Sequence, residues 1–488
     1  MIKKIDNIQE LLNPWINNIP YKKIYNINLY ISKIKMGDLF IILQKTKKSK
    51  KKYIIKAIKN KASVILYETK KNKHGLCIST QSHTIIIYFK KLNQYIHKIY
   101  ERFFNYPQKK IKLIGVIGTY GKTTVTHLIA QWKKLINKKI GTIKNLENKI
   151  NKPKYIINNK YLNHSIQKKL YHLVKKKINI STIELSSNLL ITKQISNLKF
   201  ESVICTTLNY NNLDGQKNMF QKEKIKFSFL NSEKIKTIIL NGDENITHYW
   251  IKNFKKKKII SVTTLKTDNI FNTKYWINAT KIIYNISYTK ILFNSTWGSG
   301  NLESSLLSDF NVNNILLALA TMLLENYSLN ILIKSSKFLN PIHRKMEKIK
   351  KKNSPLFIIN NIHSPQILYR TLYSLKNYNY EKIWCILGYE EIRDISERKI
   401  IGNIVEKFSD FVIFINSYIN NEKKNLIIKD ILKGCYKKNK FFIFHSIKQT
   451  IQFIFSQTNK YDMILISEKE EKVKKIIKYI NIILKKNF

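Results

Sequence analysis

The sequence predicts an α/β fold of three domains, with a largely parallel sheet in the central one. Three observations predict it. Apolar runs of strand length alternate with helical patterns, a glycine loop joins one such strand to a helix, and two prolines interrupt the alternation at Tyr106-Pro107 and Asn340-Pro341. The predicted domains are residues 1–106, 107–339 and 340–488.

The composition is strongly basic, with 88 Lys and Arg against 31 Asp and Glu and a net charge of +57. The basic residues are spread along the whole chain and accompany abundant isoleucine and asparagine. This distribution favours a codon bias toward A and T over a nucleic-acid function. We therefore expect no specific nucleic-acid partner, although polyanions should bind non-specifically at low salt. A basic ATPase stimulated by nucleic acid stays as an alternative.

The cysteines are far apart and lack metal-type spacing, which predicts reduced core residues. No apolar run approaches the roughly 18 residues that a membrane span needs. The first residues mix charges and do not resemble a signal peptide. We therefore expect a cytoplasmic monomer with no membrane segment.

The N-terminal region, residues 1–106, alternates short apolar runs with lysine-rich turns. Residues 38–43 and 62–67 read as strands, and residues 53–60 between them read as a helix. This pattern predicts a small α/β module.

The glycine loop follows the apolar run at residues 111–117 and precedes a helical pattern at residues 125–135. The glycines let the backbone approach phosphate oxygens, and the helix start directs its free N–H groups at them. Lys122 can reach terminal phosphates, and the Thr123 hydroxyl can ligate magnesium. The loop is a short variant of the phosphate loop and reads Gly118-Thr119-Tyr120-Gly121-Lys122-Thr123-Thr124.

Further strand candidates follow the loop at residues 182–185, 202–206 and 237–241. Because ligands of parallel sheets sit at the carboxyl ends of the strands, we expect Glu184 and Thr207 at the same edge as the loop. The C-terminal region repeats the strand-helix alternation. Its strand candidates are residues 355–359, 383–387, 411–415, 441–444 and 463–466.

Taken together, the motifs resemble those of the Mur ligase family, and most of all the members that add the third residue of the peptidoglycan stem peptide. Their shared order and spacing carry the resemblance, which covers nearly the whole chain. The matching segments are residues 36–40, 118–124, 184–187, 206–229, 297–298, 310–314, 363–365 and 393–394.

The resemblance implies an ADP-forming ligase that uses ATP and Mg²⁺. Its substrates would be UDP-N-acetylmuramoyl-L-alanyl-D-glutamate and meso-diaminopimelate, joined through an acyl phosphate. The N-terminal domain would hold the UDP-sugar, the central phosphate-loop domain ATP, and a C-terminal Rossmann-like domain the amino acid. Two alternatives stay open: a sibling ligase that adds L-lysine or D-Ala-D-Ala, and a decayed ligase retained as a binding protein.

The resemblance also implies catalytic roles for Lys122, Glu184, Lys226 and His363. Thr123, Glu184 and a carbamylated Lys226 would hold magnesium, since an unmodified lysine would be repelled by the metal ions.

Binding roles are implied in the same way. Asn311, Asn314 and Lys345 would join the residues of the glycine loop in binding ATP. The substrate contacts would come from Ser186, Thr192, Gln194 and Arg393, the last offering a planar two-pronged donor to a carboxylate.

Several positions depart from the family pattern. Asn211 and Asn212 replace a histidine and an aspartate, and the motif that selects diaminopimelate is not recognisable at residues 417–420. The ATP machinery therefore matches the family better than the substrate-recognition surfaces do, which leaves the amino-acid specificity open.

Overall fold

Three β-sheets, each flanked by helices, make up the part of the chain that the computed structural model describes. This architecture confirms the predicted α/β class. The residue limits of the domains stay a prediction. The described residues are 2–43, 47–69, 73–144, 163–191, 195, 197–207, 216–254, 257–264, 273–350, 353–362, 364–388, 395–415 and 422–486.

The N-terminal sheet has five strands in the order β1-β2-β3-β5-β4, and only β4 runs antiparallel to its neighbour. The predicted strands correspond to β2 and β3, and the predicted helix to α2. The elements are α1 (Ile8–Leu12), β1 (Ile27–Asn28), β2 (Leu39–Ile42), α2 (Lys47–Lys59), β3 (Val64–Thr69), β4 (Cys77–Ser79), β5 (Ile85–Lys90) and α3 (Leu92–Phe103).

The central sheet has nine strands in the order β14-β13-β12-β11-β10-β9-β6-β8-β7. Strands β6 to β12, which are neighbours in this sheet, are parallel, as predicted. Strands β13 and β14 are antiparallel. The elements are β6 (Lys112–Ile117), α4 (Lys122–Leu135), β7 (Gly141–Ile143), α5 (Asn163–Lys175), β8 (Ile180–Glu184), α6 (Ser187–Ile191), β9 (Phe200–Cys205), α7 (Gln216–Leu230), β10 (Ile235–Asn241), α8 (Asn245–Asn253), β11 (Lys258–Thr263), β12 (Tyr275–Tyr284), β13 (Thr289–Ser295), β14 (Gly300–Ser304), α9 (Asp309–Leu324) and α10 (Leu329–Ser336).

The core of the central domain explains where the glycine loop sits. Helix α9 is apolar on nearly every face and is buried along most of its length, which is typical of a helix inside a large core. Val125, Leu128 and Trp132 of α4 pack in the same cluster as Val116 of β6. Because α4 is fixed between the sheet and α9, the loop that precedes it is held at the carboxyl end of β6.

The C-terminal sheet has six strands in the order β15-β16-β20-β17-β18-β19, parallel except for β15. The five predicted strands are confirmed as β16 to β20. The elements are β15 (Lys345–Ile349), β16 (Leu356–Asn360), α11 (Pro365–Leu375), β17 (Ile383–Leu387), α12 (Ile395–Phe408), β18 (Phe411–Ile415), α13 (Glu422–Leu432), β19 (Phe441–Phe444), α14 (Ile447–Gln457), β20 (Met463–Ser467) and α15 (Glu470–Lys486).

None of the helices within the described ranges is long and apolar enough to cross a bilayer. All four cysteines lie in described segments, and none forms a disulfide. Cys205, Cys385 and Cys435 are buried, as predicted, whereas the predicted core position is wrong for Cys77, which is only partly buried.

Candidate active site

The glycine loop connects the end of β6 to the start of α4 and needs glycine at two positions. Gly118 has φ +140° and Gly121 has φ +85°, in the region that L side chains rarely adopt. A Cβ atom on Gly118 would lie 2.0 Å from Oγ1 of Thr206, and one on Gly121 would lie 2.4 Å from Oδ1 of Asn314. The loop is therefore packed so closely that only glycine fits.

Lys122, the first residue of α4, folds back over the loop. Its Nζ donates hydrogen bonds to the carbonyl of Gly118 at 2.6 Å and to that of Thr119 at 3.1 Å. The free N–H groups of the first turn of α4 point the same way. This combination places positive charge at the mouth of the loop, where a phosphate group would bind.

Glu184 ends β8 beside the loop, since its Cα pairs in register with Val116 of β6. Its side chain is buried, and Thr123 Oγ1 donates to its Oε2 at 3.1 Å. Thr126 Oγ1 donates to the other carboxylate oxygen at 3.3 Å. The predicted edge position of Glu184 is thus confirmed, and it meets the hydroxyl of Thr123.

A carboxylate and a hydroxyl beside a phosphate loop are oxygen ligands of the kind that Mg²⁺ uses. Within the described ranges, no three His, Cys, Asp or Glu side chains gather into a metal site. Thr123 and Glu184 fit a magnesium ion, which would take other ligands from phosphate oxygens and water, as is usual for this ion.

Lys226 lies on α7 and is half-buried. Burial raises the pKa of the Cys205 thiol at the end of β9, and the positive charge of Lys226 partly opposes that rise. Lys226 therefore lies near the end of β9, the strand next to β6.

Asn311 and Asn314 form a buried hydrogen-bonded pair under the loop. Asn314 Nδ2 donates to Asn311 Oδ1 at 3.2 Å, and Asn311 Nδ2 donates to the carbonyl of Leu307 at 2.7 Å. Because Oδ1 of Asn314 also lies against Gly121, the pair supports the loop from below.

Lys345 opens β15 and approaches Glu184 from the C-terminal sheet. Desolvation lowers the pKa of the Lys345 ammonium, Glu184 opposes this effect, and Lys144 adds to it. The side chain of Lys345 remains exposed to solvent, so screening by water reduces the shift of its pKa. Lys144 was not among the predicted site residues. It directly follows β7, whose register with β8 puts it level with Glu184.

The C-terminal domain is docked on this edge of the central domain. Tyr120 Oη and Ser364 Oγ are 3.0 Å apart, and Arg370 Nη1 donates to Thr207 Oγ1 at 3.3 Å. Thr207 lies next to the loop, as predicted, because its carbonyl accepts the N–H of Thr119 at 2.7 Å. Arg370 was not predicted, since only the docking of the two domains brings it here.

Ser186 precedes α6, and its hydroxyl accepts the N–H of Leu189 at 3.4 Å. The structure thus gives it a helix-capping role, and its substrate contact stays a prediction. Other predicted positions lie outside the described residues: Thr192, Gln194, Asn211, Asn212, His363, Arg393 and residues 417–420.

A phosphate loop on a parallel sheet, a carboxylate-hydroxyl pair beside it and a second domain docked above it define a multidomain nucleotide-dependent α/β enzyme. The family model described as the Mur ligase middle domain matches residues 116–322. The chain is also 40% identical over 477 residues to a UDP-N-acetylmuramoyl-L-alanyl-D-glutamate--2,6-diaminopimelate ligase of Buchnera aphidicola subsp. Schizaphis graminum (strain Sg), covering 97% of this chain and 96% of the relative. The chain therefore belongs to the Mur ligase family.

Solved structures show the same fold. A UDP-N-acetylmuramoyl-L-alanyl-D-glutamate--2,6-diaminopimelate ligase superposes with a TM-score of 0.66 at 21% identity, covering 97% of this chain and 94% of that one. The MurF ligase of Thermotoga maritima in complex with ADP superposes with a TM-score of 0.63 at 12% identity, covering 95% and 98%.

Proposed function

We propose that this protein is an ATP-dependent ligase that joins meso-diaminopimelate to UDP-N-acetylmuramoyl-L-alanyl-D-glutamate in peptidoglycan synthesis. The observation that carries the chemistry is the contact between Thr123 and Glu184 directly beside Lys122. Near-full-length similarity to a 2,6-diaminopimelate ligase supports the substrates.

The reaction has two steps. A carboxylate oxygen of the UDP-dipeptide attacks the γ-phosphorus of ATP, and ADP leaves, giving an acyl phosphate. The amine of the amino acid then attacks the acyl carbon, inorganic phosphate leaves, and the nitrogen loses a proton to give the amide. The phosphoryl group carries heavy negative charge during its transfer and leaves as an anion in the second step, so positioning and charge neutralisation dominate catalysis.

The central domain supplies that neutralisation. Lys122 and the N–H groups of the loop bind the terminal phosphates. Magnesium, held by Thr123, Glu184 and a carbamylated Lys226, would neutralise phosphate charge. Asn311 and Asn314 hold the loop and its nucleotide in place.

The other domains bring the remaining groups. Lys345 adds positive charge near the nucleotide from the start of β15, and we assign His363 to the nucleotide phosphates. Ser186, Thr192 and Gln194 contact the UDP-sugar peptide, and Arg393 binds the carboxylate of the amino acid. We assign the N-terminal domain to the UDP-sugar and place the enzyme in the cytoplasm as a monomer.

The test is release of inorganic phosphate from ATP and Mg²⁺ with the UDP-dipeptide and one amino acid at a time. We expect release with meso-diaminopimelate and not with L-lysine. A preference for L-lysine would establish the sibling specificity. Turnover only with the UDP-tripeptide and D-Ala-D-Ala would identify the other sibling.

The same assay distinguishes a ligase from a binding protein and from a nucleic-acid-dependent ATPase. ATP binding without turnover on any muropeptide would support a retained binding protein. Phosphate release stimulated by RNA or DNA at physiological salt would support the nucleic-acid-dependent ATPase. Reactions that lack the amino acid give the background.

A further inference from the structure

Ser364, the residue that precedes helix α11 of the C-terminal domain, contacts the nucleotide loop. Ser364, which caps the helix by accepting the N–H of Ile367 at 3.4 Å, also lies 3.0 Å from the hydroxyl of Tyr120. Tyr120 is built into the loop, since its carbonyl accepts the hydroxyl of Thr206 and its backbone forms a β-bridge with Thr207. A shift of the start of α11 would therefore act directly on the loop.

The middle of the same helix makes a second contact with the loop's surroundings. Arg370, half-buried, donates to the hydroxyl of Thr207 at 3.3 Å. Burial raises the pKa of Asp309, at the first position of α9, and the positive charge of Arg370 partly opposes that rise. Arg370 thus lies between two segments of the central domain that border the nucleotide loop.

The turn after α11 makes a third contact. Tyr378 is buried against Tyr284 of β12, and its oxygen accepts the backbone N–H of Ser308 at 2.9 Å. Ser308 has φ 86° and ψ 148°, a conformation that only glycine adopts readily. Such strain persists only when the surroundings hold it, and here the C-terminal domain contributes the hydrogen-bond acceptor.

Ser308 precedes the turn of α9 that carries Asn311, and Asn314 one turn later touches Gly121. The three contacts of α11 and Tyr378 therefore converge on one structure: the loop itself, the strand exit bonded to it and the helix start that supports it. We call Ser364, α11 and Tyr378 together the α11 clasp.

We propose that the α11 clasp couples docking of the C-terminal domain to the geometry of the nucleotide loop, with Tyr120, Arg370 and Tyr378 as positioning residues. This inference rests on the proposed function, because the coupling would let amino-acid delivery and phosphate activation occur in the same closed state. Ligand affinity falls in proportion to the population of the binding-competent state, so loosening the clasp weakens nucleotide binding.

The experiment uses the full-length protein and compares wild type with Tyr120→Phe, Arg370→Gln, Tyr378→Phe and the double variant Tyr120→Phe/Arg370→Gln. Tyr120→Phe removes one oxygen from a solvent-facing loop and should leave folding intact. Tyr369→Phe is the matched control, since Tyr369 lies on α11 but is 42% exposed and stacks on Tyr373.

Two quantities are measured: the Kd for ADP with Mg²⁺ by calorimetry, and the radius of gyration by X-ray scattering with saturating ADP and Mg²⁺. Loss of one hydrogen bond should raise the Kd about 2- to 10-fold. The double variant should also have a larger radius of gyration than wild type, whereas Tyr369→Phe should match wild type in both.

Equal Kd and equal radius of gyration in wild type and the double variant would overturn the proposal. A weaker Kd with an unchanged radius of gyration would also overturn it, because the contacts would then stiffen the loop without coupling the domains. Neither measurement needs turnover. Failure of the wild-type protein to ligate diaminopimelate would therefore contradict the proposed function, but the Kd and the radius of gyration would still test the α11 clasp.

Discussion

The Thr123 hydroxyl donates a 3.1 Å hydrogen bond to Oε2 of Glu184, and this contact joins the first turn of α4 to the end of β8. The two residues are 61 positions apart in the chain, but α4 follows β6, and β6 pairs with β8 in the same sheet. Because Glu184 holds the Thr123 hydroxyl beside the loop, the hydroxyl oxygen is positioned to ligate a magnesium ion bound to phosphate.

Lys122→Ala should reduce kcat by about 10²-fold to 10³-fold or more, because it removes the positive charge nearest the transferred phosphoryl group. The measurement is steady-state phosphate release at saturating substrates. Lys134→Ala, at the exposed last turn of the same helix, is the matched control and should stay near wild type. Near-normal turnover in Lys122→Ala would contradict the mechanism.

Glu184→Gln should raise the magnesium concentration for half-maximal activity by about 10-fold or more, since an amide keeps the shape but loses the charge that attracts the cation. A magnesium titration of phosphate release checks this. Glu201→Gln, at a partly exposed site paired with Lys236, should not change the titration. An unchanged magnesium dependence in Glu184→Gln would place the ion elsewhere.

Much of the fold could be predicted because buried parallel strands are continuous apolar runs. Residues 411–415 and 383–387 coincide with β18 and β17 for this reason. Strands β12 and β14 alternate buried and partly exposed residues, and β7 has only three residues, so none of these gave a clear apolar run.

The site could be predicted where its residues follow strands of one sheet. The rule that ligands bind at the carboxyl ends of parallel strands predicts Glu184 and Thr207 beside the loop, where the structure has them. Lys144 also follows a strand of this sheet, but its position beside Glu184 can be inferred only from the register of β7 with β8. Arg370 and Tyr378 could not be found, because their contacts arise from the docking of two domains far apart in sequence.

Gly121→Ala should abolish measurable ADP binding and lower stability by roughly 1–2 kcal/mol, since an L side chain at φ +85° is strained and its Cβ would meet Asn314. Gly75→Ala is a matched control with φ +84° and its nearest neighbour at 3.3 Å. Both variants should lose stability in chemical denaturation. Only Gly121→Ala should lose ADP binding by calorimetry, and equal ADP binding in the two would refute the close packing of the loop.

Asp309→Asn should raise the Tm at pH 7. Burial raises the pKa of Asp309 above its ordinary value of 3.8, so the ionised form is less favourable in the folded protein than in the unfolded chain. This cost is absent below the unfolded pKa and appears as the pH rises through the folded pKa. The Tm difference between the variant and wild type should therefore shrink as the pH is lowered from 7 toward 3.8.

A Tm gain of Asp309→Asn that grows as the pH falls would have the wrong sign and would contradict the assignment.

Lys226 should carry one added CO₂ in the active protein, because a carbamate turns a cation that would repel magnesium into an anion that attracts it. Native mass spectrometry in bicarbonate buffer should show the corresponding mass increase in wild type and in Lys224→Arg, whose side chain is exposed on the same helix. Lys226→Arg cannot form the carbamate, so it should lose both the mass increase and most of the phosphate release. Full activity of Lys226→Arg, or an unmodified Lys226 in a preparation of full activity, would show that the metal site works without this group.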